Sequence, residues 1–127
     1  LYLRAKGPDR TILVTDATSA AAAVPGVYGL GPMTLERQQE PVALSPDTGR
    51  PAGSAVTLDQ CLQNVINWFD LSLDDAISWA SDNPRKILGN STYKNDFSDQ
   101  WINWKKIKGL WKVFEVQTGK FKIQNYS

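Results

Sequence analysis

The feature that most constrains the fold is an uninterrupted apolar and β-branched run, residues 11–15, that ends at Asp16 and continues into an Ala-rich loop. Ile12, Leu13 and Val14 are consecutive rather than alternating with polar residues, which predicts a strand with both faces covered, as in a parallel sheet. A strand that ends in one carboxylate and gives way to small residues is typical of how barrel enzymes present catalytic groups. Asp16 is therefore the first candidate functional residue.

The size and composition of the chain limit its functional classes. Its 127 residues, 42% of them hydrophobic, suffice for one domain with a core. The formal net charge of +1 gives no reason to expect nucleic acid or an anionic membrane as a partner. No apolar run approaches the roughly 20 residues that span a bilayer, and no signal peptide is visible. The single cysteine, Cys61, excludes an intramolecular disulfide and favours a reducing, cytoplasmic location.

The chain contains no histidine. With only one cysteine besides, its residues are not expected to supply a metal site of the usual His-containing kind. The first residue is Leu1 rather than Met, which predicts that the chain starts within a longer polypeptide.

Helices are expected in the middle of the chain. An apolar face recurs at helical spacing over residues 57–69, at Leu58, Cys61, Leu62, Val65, Ile66 and Phe69. Cys61 lies on this face, which predicts a buried structural thiol rather than a nucleophile. A second helix is predicted over 72–82 with Ser72 as its N-cap, and Pro84 begins a last helical turn.

Two other regions favour β-structure. Short extended runs alternate with glycines and prolines between residues 26 and 50, and a Pro/Gly-containing turn over 45–49 closes the last of them, which indicates one or two hairpins. Residues 110–116 alternate between two faces, and Thr118-Gly119 marks a turn before the alternation resumes. A hairpin is therefore expected at that turn.

Three motifs follow one another along the chain in a distinctive order. The first is Leu13-Val-Thr-Asp16-Ala followed by Pro25-Gly-Val-Tyr-Gly-Leu-Gly31, the second is Ala52-Gly53-Ser54 just before a helix, and the third runs from Leu71-Ser-Leu-Asp-Asp-Ala76 to Gly89. Together they resemble the C-terminal third of N-acetylglucosamine-6-phosphate deacetylases, members of the amidohydrolase superfamily. The resemblance covers roughly residues 5–89, and residues 90–112 fit the family pattern poorly.

The resemblance implies an α/β fold: the C-terminal part of a TIM-barrel amidohydrolase with a β-hairpin insertion and a return to a small β-sandwich. The expected domains are residues 1–90 for the barrel part and residues 91–127 for the β-rich tail of the sandwich, with residues 11–15 as the eighth barrel strand. Because a whole barrel needs roughly 250 residues, this chain would hold one or two of its strands.

The resemblance also implies an activity, the metal-dependent deacetylation of N-acetylglucosamine 6-phosphate. In such enzymes a divalent metal, such as zinc, activates a water that attacks the acetamide carbonyl. Asp16 matches the carboxylate that takes the proton of the water and later gives it to the leaving amine. Ala52, Gly53 and Ser54 match a segment that lines the substrate pocket, where a glycine lets the backbone approach the sugar. The family's metal ligands lie on earlier strands and have no counterpart here, so the chain alone is expected to be inactive.

The implied partner is a small amino-sugar phosphate, with no nucleic acid and no membrane, and a homodimer is an open option. Two other interpretations stay open. In the first, the chain is a non-enzymatic remnant or binding module whose basic tail stacks Trp101, Trp104 and Trp111 on sugars or bases. Alternatively it belongs to an amidohydrolase that acts on cyclic amides. For the tail itself, the simplest interpretation is a β-segment in which tryptophans pack and lysines give solubility.

Overall fold

The computed structural model describes residues 5–89 and 100–124. Contacts divide the chain into two compact units. The first, here called the meander unit, is the continuous stretch Leu13–Cys61, and the second, the split unit, combines Leu1–Ile12 with Leu62–Ser127. The chain is mixed α/β. The predicted domain boundary after residue 90 lies outside the described residues and stays a prediction.

The meander unit contains a four-stranded antiparallel sheet in the order β1-β2-β3-β4. Its strands are β1 (Gly26–Leu30), β2 (Met33–Arg37), β3 (Val42–Leu44) and β4 (Pro51–Ser54). The hairpins predicted between residues 26 and 50 are thereby confirmed. In the turn between β3 and β4, the Gly49 N–H donates to the Ser45 carbonyl at 2.7 Å, and Gly49 has a φ of 64° that glycine adopts without a steric cost.

The core of the meander unit is built mostly from small side chains. The buried members of its cluster are Ala20, Leu35, Ala43 and Ala55. Tyr28 and Ala52 pack against this cluster while staying partly exposed. Because three of the four buried side chains are methyl groups, the backbones that carry them can approach closely, and Leu35 is the largest side chain that is fully buried.

Residues 11–15 do not form the predicted strand. Thr11 has extended dihedral angles, φ −106° and ψ 133°, but no described strand pairs with this stretch. The nearest β-pairing is an isolated parallel bridge between Ala17 and Ser54. The side chains alternate between half-buried and exposed, and Val14 is 72% exposed, so the expectation of two covered faces is also wrong here. The physical reason is that a strand requires a hydrogen-bonded neighbour, which the described residues do not place beside it.

Three α-helices follow the meander, namely α1 (Leu58–Phe69), α2 (Leu73–Ala80) and α3 (Asp82–Leu88). The helices predicted over 57–69 and 72–82 are confirmed as α1 and α2, with bounds that agree to within two residues, and the single turn predicted at Pro84 is a longer helix, α3, that begins at Asp82. Ser72 caps α2 as expected, because its Oγ accepts a hydrogen bond from the Asp75 N–H at 3.0 Å. Pro84 lies in the first turn of α3, where its missing N–H leaves no bond unmade. None of the helices in the described ranges is long and apolar enough to cross a membrane.

A buried amide joins the N-terminal segment of the split unit to α3. Pro8–Arg10 form a single 3-10 turn. The Asn83 Nδ2 donates to the Pro8 carbonyl at 2.9 Å and to the Thr11 carbonyl at 2.7 Å. Asn83 is only 3% exposed, so these bonds replace the water that its amide loses on burial.

The split unit also contains a three-stranded antiparallel sheet of β5 (Gln100–Ile107), β6 (Leu110–Thr118) and β7 (Phe121–Gln124). The hairpin predicted at Thr118-Gly119 is confirmed as the β6–β7 turn. The sequence prediction did not identify β5 as a strand. Its hairpin with β6 closes through Lys108 and Gly109, whose φ angles of 51° and 83° are both positive, as a two-residue type I′ loop requires.

Candidate active site

Asp16 lies where the extended residues 11–15 give way to the loop. Its φ of 51° is in the left-handed region, which Asp tolerates better than most residues with a side chain. The Asp16 side chain is exposed, and no group in the described parts of the chain donates a hydrogen bond to its carboxylate. Both carboxylate oxygens are therefore available to exchange a proton with water or a bound molecule.

Ser54 at the end of β4 holds the backbone on both sides of Asp16. The Ser54 Oγ donates to the Thr15 carbonyl oxygen, and the Ser54 N–H donates to the Asp16 carbonyl oxygen at 2.9 Å. In the opposite direction, the Ser54 carbonyl accepts from the Thr18 N–H at 3.0 Å and from the Thr18 Oγ1 at 3.1 Å. Four hydrogen bonds thus connect one residue to residues 15–18, and we call this set the Ser54 clamp.

Gly53 makes the close approach of β4 to this loop possible. Gly53 has a φ of 117°, which residues with a Cβ rarely adopt. A Cβ placed there would lie 2.5 Å from the Thr18 Cγ2, 3.2 Å from the Asp16 carbonyl oxygen and 3.9 Å from the Asp16 Oδ2. The space beside the Asp16 carboxylate is thus open only because this residue is glycine.

Ala52, the first residue of the predicted pocket-lining segment, packs against the core of the meander unit. It is half-buried and packs against the cluster that contains Leu35. The structure therefore brings Gly53 and Ser54 to Asp16 and directs Ala52 towards the core. The roles of Thr15 and Thr18 were not predicted, and no local pattern signals them, because Ser54 meets them across 39 and 36 positions of sequence.

The metal that the resemblance implies finds no ligand set in this part of the chain. Within residues 5–89 and 100–124, no group of three or more His, Cys, Asp or Glu side chains is arranged to hold an ion. Among these described residues, Asp16 has no second or third ligand beside it, so they do not fit a metal centre.

Cys61 does not contribute to the Asp16 site. Its side chain is half-buried on α1, and the thiol is free. Burial, together with the negative charge of Asp59, raises the pKa of the Cys61 thiol above its usual value. A raised thiol pKa lowers the fraction of reactive thiolate at neutral pH, which supports a structural rather than a nucleophilic role.

Aromatic side chains of the tail belong to the sheet of β5, β6 and β7, and two of their rings lie close to lysine side chains. Trp104 and Trp111 are half-buried, and the Lys106 Nζ lies 5.9 Å from the centroid of the Trp111 ring. On the other face of the sheet, the Lys105 Nζ lies 5.1 Å from the centroid of Phe114. Because the lysines cover ring faces that a sugar or base would use, these contacts favour the packing interpretation of the tail.

Comparison with known sequences identifies relatives of one kind, although no protein-family model matches the chain. The N-acetylglucosamine-6-phosphate deacetylase of Vibrio furnissii is 34% identical over 80 residues, which are 63% of this chain and 20% of the relative. The chain thus spans about a fifth of the length of this curated relative.

Comparison with solved structures agrees. The crystal structure of N-acetylglucosamine-6-phosphate deacetylase from Pasteurella multocida superposes with a TM-score of 0.72 at 18% identity, over 92% of this chain and 31% of that one, which is a likeness of fold. A mutant of the Mycobacterium smegmatis deacetylase, in complex with N-acetyl-D-glucosamine-6-phosphate, is 34% identical with a TM-score of 0.60, over 68% of this chain and 24% of that one. The resemblance predicted from the motifs is confirmed: these relatives and structural neighbours are deacetylases of this kind, and their match to part of the chain is consistent with a fragment of such an enzyme.

Proposed function

We propose that the protein carrying this chain hydrolyses N-acetylglucosamine 6-phosphate to glucosamine 6-phosphate and acetate, and that Asp16 moves the proton in this reaction. The observation that carries the proposal is the exposed carboxylate of Asp16, to which no residue that the structure describes donates a hydrogen bond and whose backbone is held by the Ser54 clamp, in a chain whose curated relatives are deacetylases. Asp16 as the catalytic residue is our assignment.

The proposed chemistry needs one group that is first a base and then an acid. Water attacks the acetamide carbonyl, and the Asp16 carboxylate accepts the proton that the water loses. When the carbon–nitrogen bond breaks, the same carboxyl group returns the proton to the leaving amine. An exposed carboxylate that accepts no hydrogen bond from residues 5–89 or 100–124 can serve in both steps without breaking such a bond first.

A divalent metal would supply the polarisation of the carbonyl and of the water in this family. The described residues hold no ligand cluster for it, so the chemistry assigned to this chain is that of its carboxylate. Because the 127-residue chain contains no histidine and a whole barrel needs roughly 250 residues, the chain by itself is expected to release no acetate.

We assign Gly53 to the edge of the substrate pocket, because its missing side chain leaves open the space beside the Asp16 Oδ2. The backbone of β4 could then approach a sugar closely. Ala52 belongs to the same segment, but its half-buried contact with the core supports a role in holding the segment in place.

The larger architecture is also part of the proposal. We assign residues 1–90 to the C-terminal part of a (β/α) barrel and residues 91–127 to a small β-sandwich. The fold likeness to a deacetylase over 92% of the chain supports this, as does the antiparallel sheet of β5, β6 and β7. In a complete barrel, residues 11–15 would gain the neighbouring strands that they lack here. The single unpaired cysteine supports a cytoplasmic location.

The test is an acetate-release assay on the protein that carries this chain, as it is expressed in its source organism, with N-acetylglucosamine 6-phosphate as substrate. Asp16→Asn keeps the size of the side chain and removes its ability to accept a proton. We expect kcat to fall by about 10²–10⁴-fold, the usual contribution of a general acid-base residue.

The matched control is Asp47→Asn, the same change at an exposed carboxylate in the β3–β4 turn of the meander unit. It should leave kcat within twofold of the wild-type value. A wild-type protein that releases no acetate contradicts the activity, and an Asp16→Asn variant that keeps most of the wild-type kcat contradicts the role of Asp16.

A further inference from the structure

The direction of the Asp16 side chain depends on one backbone dihedral angle. The φ angle of Asp16 is defined by rotation between the carbonyl carbon of Thr15 and the carbonyl carbon of Asp16. At 51° this angle is in a region that costs free energy for a residue with a Cβ, so the loop must hold it there. A relaxed φ would turn the carboxylate to a different side of the loop.

The Ser54 clamp acts on the two carbonyl groups that define this angle. The Ser54 Oγ donates to the Thr15 carbonyl, and the Ser54 N–H donates to the Asp16 carbonyl at 2.9 Å. One residue therefore fixes both ends of the rotation. The two bonds from Thr18 to the Ser54 carbonyl, at 3.0 and 3.1 Å, hold the clamp from the other side of the turn.

We propose that Ser54 is a positioning residue whose hydroxyl holds Asp16 in its left-handed conformation, rather than a residue that binds the sugar. This inference rests on the proposed role of Asp16 as the proton carrier. The Ser54 hydroxyl has one proton, and that proton is donated to the Thr15 carbonyl. It is therefore committed to the backbone and not available as a donor to a substrate.

The two roles predict different kinetics. A hydroxyl that binds the substrate equally in the ground state and the transition state affects KM, whereas a hydroxyl that aims the proton carrier affects kcat. Misplacement of a reacting group by about 1 Å costs on the order of 100-fold in rate. For Ser54→Ala in the protein that carries this chain, we expect kcat to fall by about 10- to 100-fold with KM within threefold.

Two further variants separate positioning from a general loss of structure. Ser54→Thr keeps a hydroxyl at the same carbon and should recover kcat to within about fivefold of wild type. Ser19→Ala removes a hydroxyl from the same loop that also donates to a backbone carbonyl, that of Gly29 at 2.6 Å, and should leave kcat unchanged. A raised KM at constant kcat in Ser54→Ala would show that the hydroxyl binds substrate, and wild-type kinetics would show that it has no role.

A measurement without substrate tests the clamp independently of the activity. The amide protons of Ser54 and Thr18 take part in the clamp, so their hydrogen exchange, followed by NMR, reports its opening. We expect Ser54→Ala to speed their exchange about tenfold, as the loss of one hydrogen bond implies, and Ser19→Ala to leave it unchanged. Unchanged exchange in Ser54→Ala overturns the inference. If Ser54→Ala speeds the exchange but the wild-type protein releases no acetate, the clamp is supported and the deacetylase activity is refuted.

Discussion

Substitution of Gly53 by alanine is the sharpest test of the local structure, because the added group is one methyl and its neighbours are known. The new Cβ would lie 2.5 Å from the Thr18 Cγ2, well inside the distance at which two carbon atoms can rest. It would also have to adopt a φ of 117°, a conformation that L residues rarely adopt.

The two effects can be given magnitudes separately. A strained backbone conformation of this kind costs about 1–3 kcal/mol. Insertion of a methyl group into a close contact costs a further 1–3 kcal/mol or so, because neighbouring groups must move. The sum, about 4 kcal/mol, corresponds to a change of about 10³ in the opening equilibrium of the meander unit.

Native-state hydrogen exchange at the amides of Leu35 and Ala43, two buried residues of this unit, is the appropriate assay. Tryptophan fluorescence would not serve, because all five tryptophans lie in the split unit. Gly53→Ala should speed this exchange about 10³-fold, and complete loss of protection is the extreme of the same effect. Gly29→Ala is the matched control, since a Cβ there meets nothing within 4 Å, and exchange should stay within about threefold.

A double variant separates the clash from the backbone strain. Thr18→Ser removes the Cγ2 methyl and keeps the hydroxyl, so Gly53→Ala combined with Thr18→Ser should recover the part of the loss that is due to the clash. If hydrogen exchange at Leu35 and Ala43 in Gly53→Ala stays within threefold of wild type, the close approach of β4 to the Asp16 loop is wrong, and so is the Ser54 clamp that depends on it.

Two further outcomes concern other parts of the chain. Asn83→Ala removes a buried amide that donates to two carbonyl oxygens, so it should destabilise the split unit by about 2–3 kcal/mol and lower its Tm, measured by tryptophan fluorescence, by roughly 10 °C. The control Asn67→Ala, at an exposed helix position, should change Tm by less than about 2 °C. Equal Tm values for the two variants would contradict the role of the buried hydrogen bonds. Burial and the charge of Asp59 raise the pKa of the Cys61 thiol, so its alkylation by iodoacetamide should reach its half-maximal rate at a higher pH than the alkylation of a free cysteine peptide. Asp59→Asn should lower this midpoint pH slightly. A midpoint pH equal to that of the peptide would contradict the burial of the thiol.

The parts of the fold that depend on local signals were predictable. The apolar spacing of α1 and the capping hydroxyl of Ser72 act within a few residues, so the sequence pattern contains the information. The turn over 45–49 is likewise a local property of its proline and glycine. The loop that joins β5 and β6 is also local, but Lys108-Gly109 is a weaker signal than the Asn-Gly pair that usually marks such a loop, and β5 was missed.

The parts that depend on distant partners were not predictable. Consecutive apolar residues over 11–15 favour a strand, yet a strand exists only when another strand accepts its hydrogen bonds. The candidate site shows the same division. Asp16 could be chosen from its place at the end of an apolar run. The hydrogen bonds of Ser54 to the residues around Asp16 could not be predicted, because they join positions that are 36 to 39 residues apart in sequence.

The bonds of Asn83 have a consequence for the order in which the chain acquires its structure. Their acceptors, Pro8 and Thr11, precede Asn83 by 75 and 72 positions, and the whole continuous meander unit lies between them. On a ribosome that adds about 5–20 residues per second, the N-terminal segment therefore waits roughly 4–15 s for its partner amide to be synthesised. The interval is long compared with the microseconds in which a hairpin forms, so the meander can be complete before the split unit closes. Translation thus leaves time for the meander unit to fold before the two stretches of the split unit can join.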